Sequence, residues 1–287
     1  MKNTIAILSL LLFSMAAIGQ KVSGNLKFEQ GQSLEVNMQV KTTIAQQAMG
    51  QAIDFDLEGS AIHVYKVTNA TSDNNTLHHQ VKQIAFNFDG MGQKRSFNSN
   101  NQKDMDGQFG KPMKELLGRS FDMIIDPSGQ VLMVQPEKTE NTKMEGPMML
   151  IGNMLKDLLD IVQPPHKADA SFFKVLPQNE TGKGDSWTES YENANGKFNT
   201  IYTLADITDS TIIINYTGNS ITTSKAEMMG NETTTTMNNK STGKIIVDKS
   251  TGIIREKTST IESNGATEIM GNSVPVTSKT TIVITVK

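Results

Sequence analysis

The chain has 287 residues, with 27 lysines and arginines against 30 aspartates and glutamates, 4 histidines and no cysteine. The charges are scattered along the sequence, which excludes the basic face that nucleic-acid binding requires. The lack of thiols excludes disulfides, zinc–thiolate sites, thiol catalysis and acylation at a signal-peptide cysteine.

Residues 1–19 combine Lys2, an apolar stretch over 5–17 and small residues at Ala17 and Gly19, the pattern of a secretory signal peptide cleaved before Gln20. The stretch is too short for a stable membrane span, and polar sequence follows it at once. Removing Lys2 leaves 26 basic against 30 acidic residues, a net charge of −4 for the mature chain. The expectation is an exported protein, periplasmic or extracellular, that is not integral to the membrane and binds no nucleic acid. Few aromatics and abundant Thr, Asn, Ser and Gln fit an exported β-protein whose strands keep one polar face.

After the signal peptide, SLEVNMQVKTTI alternates strictly, with Leu34, Val36, Met38, Val40 and Ile44 on one face and Glu35, Asn37, Gln39 and Lys41 on the other. This reads as a long, half-buried antiparallel strand. AQQAMGQ turns the chain, and Ile53, Phe55 and Leu57 resume the alternation. Over residues 81–88, Ile84, Phe86 and Phe88 share a face whose offset from Leu77 and Val81 predicts a bulge at Lys82 and Gln83. Residues 87–107 read as a polar, Asn-rich connection. GKPMKELLG reads as a short helix, with Pro112 in its first turn and Gly118 ending it.

The one long helical pattern covers residues 147–163. Met148, Ile151, Leu155, Leu158, Leu159 and Val162 fall near one face, with Asn153, Lys156, Asp157 and Asp160 opposite. Pro147 suits the first helical position and Pro164-Pro165 stops the helix, giving a rod of roughly 25 Å, long enough to lie across a curved sheet. Strands resume around Trp187 and continue to a final alternating strand carrying Ile282, Ile284 and Val286 on one face.

Two stretches say the same thing. RSFDMIIDPSGQVLMVQ (119–135) and STGKIIVDKSTGIIREK (241–257) each run an apolar strand into an aspartate, turn through serine and glycine, and resume with apolar residues. Both predict a β-hairpin. A second pair, residues 62–81 and 199–218, also reads strand, polar turn, strand, so the chain divides into a first half (20–138), a helical linker (139–176) and a second half (177–287) of one β-rich domain.

Motifs that suggest chemistry resolve into structure. GDSW (184–187) opens like one serine-hydrolase family, yet all four histidines precede Ser186, the wrong order for that family's base, so it reads as a turn leading into a strand. His78 and His79 are adjacent on a strand and point to opposite faces, so they cannot chelate one ion together. Asp104 and Asp106 before Gly107 lack the later oxygen ligands of a calcium loop. Met-Gly recurs at 49–50, 91–92, 229–230 and 270–271. Turn geometry explains the glycines, and the methionines suggest an adaptable apolar rim or coincidence. No cofactor and no metal is implied.

The signal peptide, the KFEQGQSLEVNMQV strand, the FDMIIDPSGQV hairpin, the central helix and the GDSW turn together resemble an uncharacterised family of exported bacterial proteins of unknown function, over nearly the whole mature chain. At the level of fold, long antiparallel strands crossed by helices resemble the half-barrel of periplasmic lipoprotein carriers. The resulting expectation is a mainly β protein: a curved antiparallel sheet or half-barrel built from two related halves, with one central helix packed on its concave face. Non-enzymatic binding of an apolar or amphipathic, lipid-like ligand is the leading function, with Met148, Ile151, Leu155, Leu158, Phe86 and Met123 as the expected ligand contacts. The alternative is a structural or protein-interaction module of the envelope or cell surface, with an envelope protein as partner and no pocket. An enzyme acting on envelope polymers would need two carboxylates converging in a cleft.

Overall fold

The computed structural model describes residues 20–287 apart from 49–50, 91, 139–146, 194–195, 229–230 and 270. The signal-peptide reading of residues 1–19 lies outside the described residues, as do the methionines of all four Met-Gly pairs.

The first half runs β1 (Lys21–Val22), β2 (Ser33–Ala48), β3 (Gln51–Ala70), β4 (Asn75–Gly90), β5 (Gln93–Asn98), α1 (Gln102–Met105), α2 (Gly110–Leu117), β6 (Ser120–Ile125) and β7 (Val131–Gln135). The linker holds α3 (Pro147–Met154), α4 (Lys156–Leu159) and a 3-10 turn (Asp160–Val162). The second half runs β8 (Thr181–Gly182), β9 (Ser186–Asn193), β10 (Gly196–Ile207), β11 (Thr211–Met228), β12 (Asn231–Asp248), β13 (Ile254–Ile269) and β14 (Asn272–Val286). Twelve strands form one antiparallel sheet in the order β7-β6-β4-β3-β2-β14-β13-β12-β11-β10-β9, with β5 paired to β4. The path is open, so this is a curved sheet and not a closed barrel. β1 and β8 make a separate two-stranded ribbon.

The alternation seen in the sequence becomes two faces. Val36, Met38 and Val40 on β2, and Leu57, Ala61 and Tyr65 on β3, are buried on the inner face, while Lys41 and Glu58 pair across the outer one at 2.8 Å. The bulge expected at Lys82 and Gln83 is present: Ile62 faces Gln83, and the next residue, His63, faces Val81. The stretch read as a polar connection holds a strand and a short helix instead. β5 escaped notice because Phe97 is its one buried apolar side chain, so no alternation marks it.

Antiparallel pairing sorts the turns to two ends. At one end the pairing of β2–β3, β4–β5, β11–β12 and β13–β14 runs to the pairs Ala48 and Gln51, Gly90 and Gln93, Met228 and Asn231, and Ile269 and Asn272. The four Met-Gly pairs of the sequence fall between these strands. Gly92 (φ +69) and Gly271 (φ +78) adopt the left-handed conformation that tight hairpins require. The repeated Asp-Ser-Gly hairpins both lie at the other end.

There the two hairpin turns share one chemistry. In each, the aspartate accepts from a serine hydroxyl two residues on (Ser128 to Asp126 at 2.7 Å, Ser250 to Asp248 at 2.5 Å), and a left-handed glycine follows (Gly129, φ +85; Gly252, φ +73). The second turn is one residue longer. Burial alone would raise both carboxyls, but these hydroxyls, backbone amides and, for Asp248, Arg255 hold them below the ordinary range.

Between these turns passes the N-terminal segment. Leu26 N–H donates to Pro127 O at 2.7 Å, and Lys27 N–H donates to Thr251 O at 2.8 Å. Consecutive amides therefore grip turns that lie six strand spacings apart along the sheet, about 29 Å if it were flat. The two carbonyls are within about 10 Å of each other. The sheet is thus rolled tightly at this clasped end.

Gly252 is where the clasp is closest: a Cβ there would lie 2.6 Å from Asn25 O, whereas one at Gly271 would meet nothing within 4 Å. Both glycines are left-handed, so Gly271→Ala should cost about 1 kcal/mol and Gly252→Ala about 1–3 kcal/mol more in urea unfolding. Equal losses would show that the clasp carries no stability.

Candidate functional site on the concave face

Five of the six expected ligand contacts are fully buried. Ile151, Leu155 and Leu158 are 0% exposed, Met123 1% and Phe86 2%, all in one apolar cluster with β2, β3, β4 and β6. Met148 lies in α3, and its side chain is outside the described residues.

The expected helix is present on the concave face but in pieces. Leu155 (φ −86, ψ 2) interrupts it between α3 and α4. Gly152 and Asn153 are weak helix formers just before the break. The break lets Leu155 and Leu158 seat together in a notch at Gly59, where a Cβ would come within 2.4 and 2.9 Å of their methyl groups. The space beneath α4 is therefore occupied by leucine. Leu158→Ala should lower the unfolding free energy by about 2–5 kcal/mol, as for a packed core leucine. A loss below about 1 kcal/mol would instead indicate a loosely seated lid.

The second half presents a different inner face. Register places Trp187 beside Tyr202 and Tyr202 beside Tyr216, and further along it places Tyr191 beside Phe198, all on the side that carries buried Leu204, Ile214 and Ile245. Trp187 and Tyr202 stack with centroids 5.4 Å apart, Tyr191 and Phe198 at 4.6 Å, and Tyr202 meets Tyr216 at 5.8 Å. Tyr191 is 59% exposed, and the indole N–H of Trp187 is buried without a hydrogen-bond partner. Lys156 and Asp160, flanking α4, lie close enough to Tyr191 to perturb its hydroxyl, though partial burial is the main cause raising it. An aromatic ladder thus runs across β9–β11 on the concave face. The sequence reading passed over it, although three of the chain's 4 tyrosines and its 1 tryptophan stand here.

The remaining motifs take structural roles. Asp104 accepts the Asn98 amide at 2.9 Å, and Gln102 donates to Asp106 at 2.9 Å. Asp185 of GDSW accepts the Gly182 amide at 2.8 Å, Gly184 is left-handed (φ +91), and Ser186 begins β9. Among the described residues no three His, Asp or Glu side chains gather as metal ligands. One hollow of about 260 Å³ lies at the β5 edge, and another of about 620 Å³ has a mixed lining, with Gln39, Lys41, Glu58 and Asn87 beside Ala85, Phe86, Phe97 and Val283.

His78 and His79 do point to opposite faces. His78 meets Asp122 at 2.8 Å outside, whereas His79 lies in the core with Nε2 3.1 Å from Nδ1 of His63. Two neutral imidazoles sharing one hydrogen bond leave one N–H and one lone pair over, and the outer nitrogens of both rings have no partner. Burial lowers His63 to about 4; burial, with His63 and His78 nearby, lowers His79 to about 3. The unfolded chain takes up these protons near pH 6.5 while the folded chain does not, so stability falls as pH drops. Between pH 6.5 and 5 the unfolding free energy should fall by about 2 kcal/mol per histidine. His79→Phe should roughly halve the slope in urea titrations at the two pH values; an unchanged slope would place the proton uptake elsewhere.

A family of unknown function, DUF6263, matches residues 72–148 and 168–254, together more than half of the chain. The chain belongs to this family. Each matched stretch contains one of the two clasp turns. No curated protein matches the sequence. Among solved structures, one of lipid–protein interactions in lipovitellin aligns over 91% of the chain and 26% of its own, with TM-score 0.47 and 11% identity. An outer membrane channel from Pseudomonas putida F1 aligns over 92% of this chain and 98% of its own (TM-score 0.24, 8% identity). OccK8 (OprE) of Pseudomonas aeruginosa aligns over 90% and 98% (TM-score 0.21, 6% identity). The chain spans about a quarter of the lipovitellin chain. Similarities this low carry no argument, and the functional reading rests on the chain's own residues.

Proposed function

We propose that this protein is an exported, non-enzymatic binding protein of the cell envelope whose concave face takes an amphipathic, lipid-like ligand. The aromatic ladder of Trp187, Tyr191, Phe198, Tyr202 and Tyr216 carries the reading. Aromatics in a concavity, partly exposed apart from Tyr216, offer apolar area at little conformational cost. The filled notch at Gly59 divides the work. The leucines beneath α4 complete the core, and the ligand lies on the second-half side, with α4 as its opposite wall. Export is supported by the signal-peptide pattern of residues 1–19.

The packed first-half interior favours the second reading, an envelope interaction module without a ligand. Native mass spectrometry of protein purified from bacterial cells, together with thermal shift against fatty acids and phospholipids, separates the two. A binder shows a co-purifying mass or a melting temperature raised by several degrees at saturation, and loses affinity about tenfold in Tyr191→Ala or Phe198→Ala. If no lipid co-purifies and none raises the melting temperature, the ligand-binding reading is abandoned for the module.

A further inference from the structure

Lys41, Lys94, Lys197 and Lys279 each stand directly across a strand pair from an acid, Glu58, Asp89, Glu192 and Glu262, with nitrogen–oxygen distances of 2.8 to 3.4 Å. Arg95 on β5 departs from that pattern. The residue across from it is the buried Phe88. Its Nη2 donates to Gln93 Oε1 at 2.9 Å, and its Nε is buried without a partner. Among the described residues no carboxylate forms an ion pair with Arg95, nor with Lys103 on α1.

Both residues line the hollow of about 260 Å³ at the β5 edge, together with Lys94. Its lining includes Phe97 and Phe109, two buried rings that pack on Phe86 with centroids 5.8 and 5.4 Å away, so this wall is fixed by the core. Asp104 is the acid of the lining, and its carboxylate already accepts the Asn98 amide at 2.9 Å. Lys94 shares its charge with Asp89. The positive charge of Arg95 and Lys103 is therefore left over, beside apolar side chains where a lone cation is costly and an anion stabilises it.

We propose that this hollow is an oxyanion site, taking a phosphate or carboxylate group against the Arg95 guanidinium and the Lys103 ammonium, with Lys94 at the rim. A guanidinium fork matches the paired oxygens of such groups, and lysine adds charge without a fixed geometry. The hollow of about 620 Å³ shares Ser96, Phe97 and Asp104 with it. Room for the uncharged remainder of a larger anion thus adjoins the site. First-half residues build it and the ladder contributes none, so it stands apart from the ligand proposed above.

The test is amide-correlation NMR of the protein at constant ionic strength, titrated with inorganic phosphate, acetate, glucuronate and glucose, with chloride as the balancing ion. The Arg95 Nε–H and the amides of Gly107 and Gln108 should shift saturably with phosphate, half-saturating at about 1 mM or below, and should not respond to glucose. Lys103→Gln should weaken binding about tenfold and Arg95→Gln should abolish it. Lys111→Gln removes a nearby cation that does not line the hollow and should change nothing. Lys103 is exposed, so its variant decides the matter should Arg95→Gln misfold. Glucuronate binding more tightly than acetate would identify the oxyanion as part of a larger molecule; equal binding would identify a small free anion. Shifts that stay linear to about 50 mM, or that chloride reproduces, would overturn the site. Equal weakening by Lys111→Gln and Lys103→Gln would overturn it too, by reducing the effect to general surface charge.

Discussion

The structure depends on two adjacent backbone hydrogen bonds. Leu26 and Lys27 join the β6–β7 turn to the β12–β13 turn, and the strands between must bend to let them meet. A long antiparallel sheet twists on its own. Rolling it until turns six strands apart converge requires small residues where the backbones crowd. Gly129 and Gly252 meet that need at the contacts with Leu26 and Asn25. The two copies of the Asp-Ser-Gly hairpin are therefore halves of one fastening. Their shared chemistry fixes two similar turns in the conformation that presents a carbonyl to the same passing segment.

Rolling one end leaves the interior unequally filled. On the first-half side, α2, α4 and the segment around Phe173 bring Met113, Leu116, Leu155, Leu158 and Phe173 against β2–β6, and the histidine pair is sealed beneath them. The second half has a smaller cluster, with Leu176 from the linker and its own strands supplying the rest. Aromatics stand at its border with solvent. The linker sends Leu155 and Leu158 to the first-half wall and Leu176 to the second. That unequal filling is the basis for the proposed site on the second-half wall.

Much of this was legible in the sequence. Period-two alternation gave β2, β3 and β14 with the correct inward faces, and the offset around Lys82 gave the bulge. Paired hairpins gave the two-part plan, because turn chemistry is local and repeats visibly. What escaped depended on register. His63 and His79 lie sixteen positions apart and meet only through β3–β4 pairing. Trp187, Tyr202 and Tyr216 align only once β9, β10 and β11 are set side by side. The central helix was visible but its break was not, since the notch that seats Leu155 and Leu158 exists because Gly59 lacks a side chain, eight elements earlier in the chain. Five of the six side chains expected as ligand contacts are buried, and periodicity reports burial without saying whether protein or ligand does the burying.

On β11 and β12 the inner face also changes character along the strands. Toward the clasped end, β11 and β12 turn inward Ile212, Ile214, Ile245 and Val247, all buried. Toward the Met-Gly end the inward residues become Ser220, Thr222, Asn239 and Thr235, and Asn239 donates to both Ser220 and Thr222. Hydroxyls and amides that bond to one another across strands can face water without strain and without inviting another sheet to stack on them. Along β13 the inward positions run from Ile254 through Lys257 to Ser259, Ile261 and Ser263, so the lysine stands between an apolar and a mixed stretch. Interfaces of that kind are where long amphipathic side chains rest, stem on hydrocarbon and head toward water.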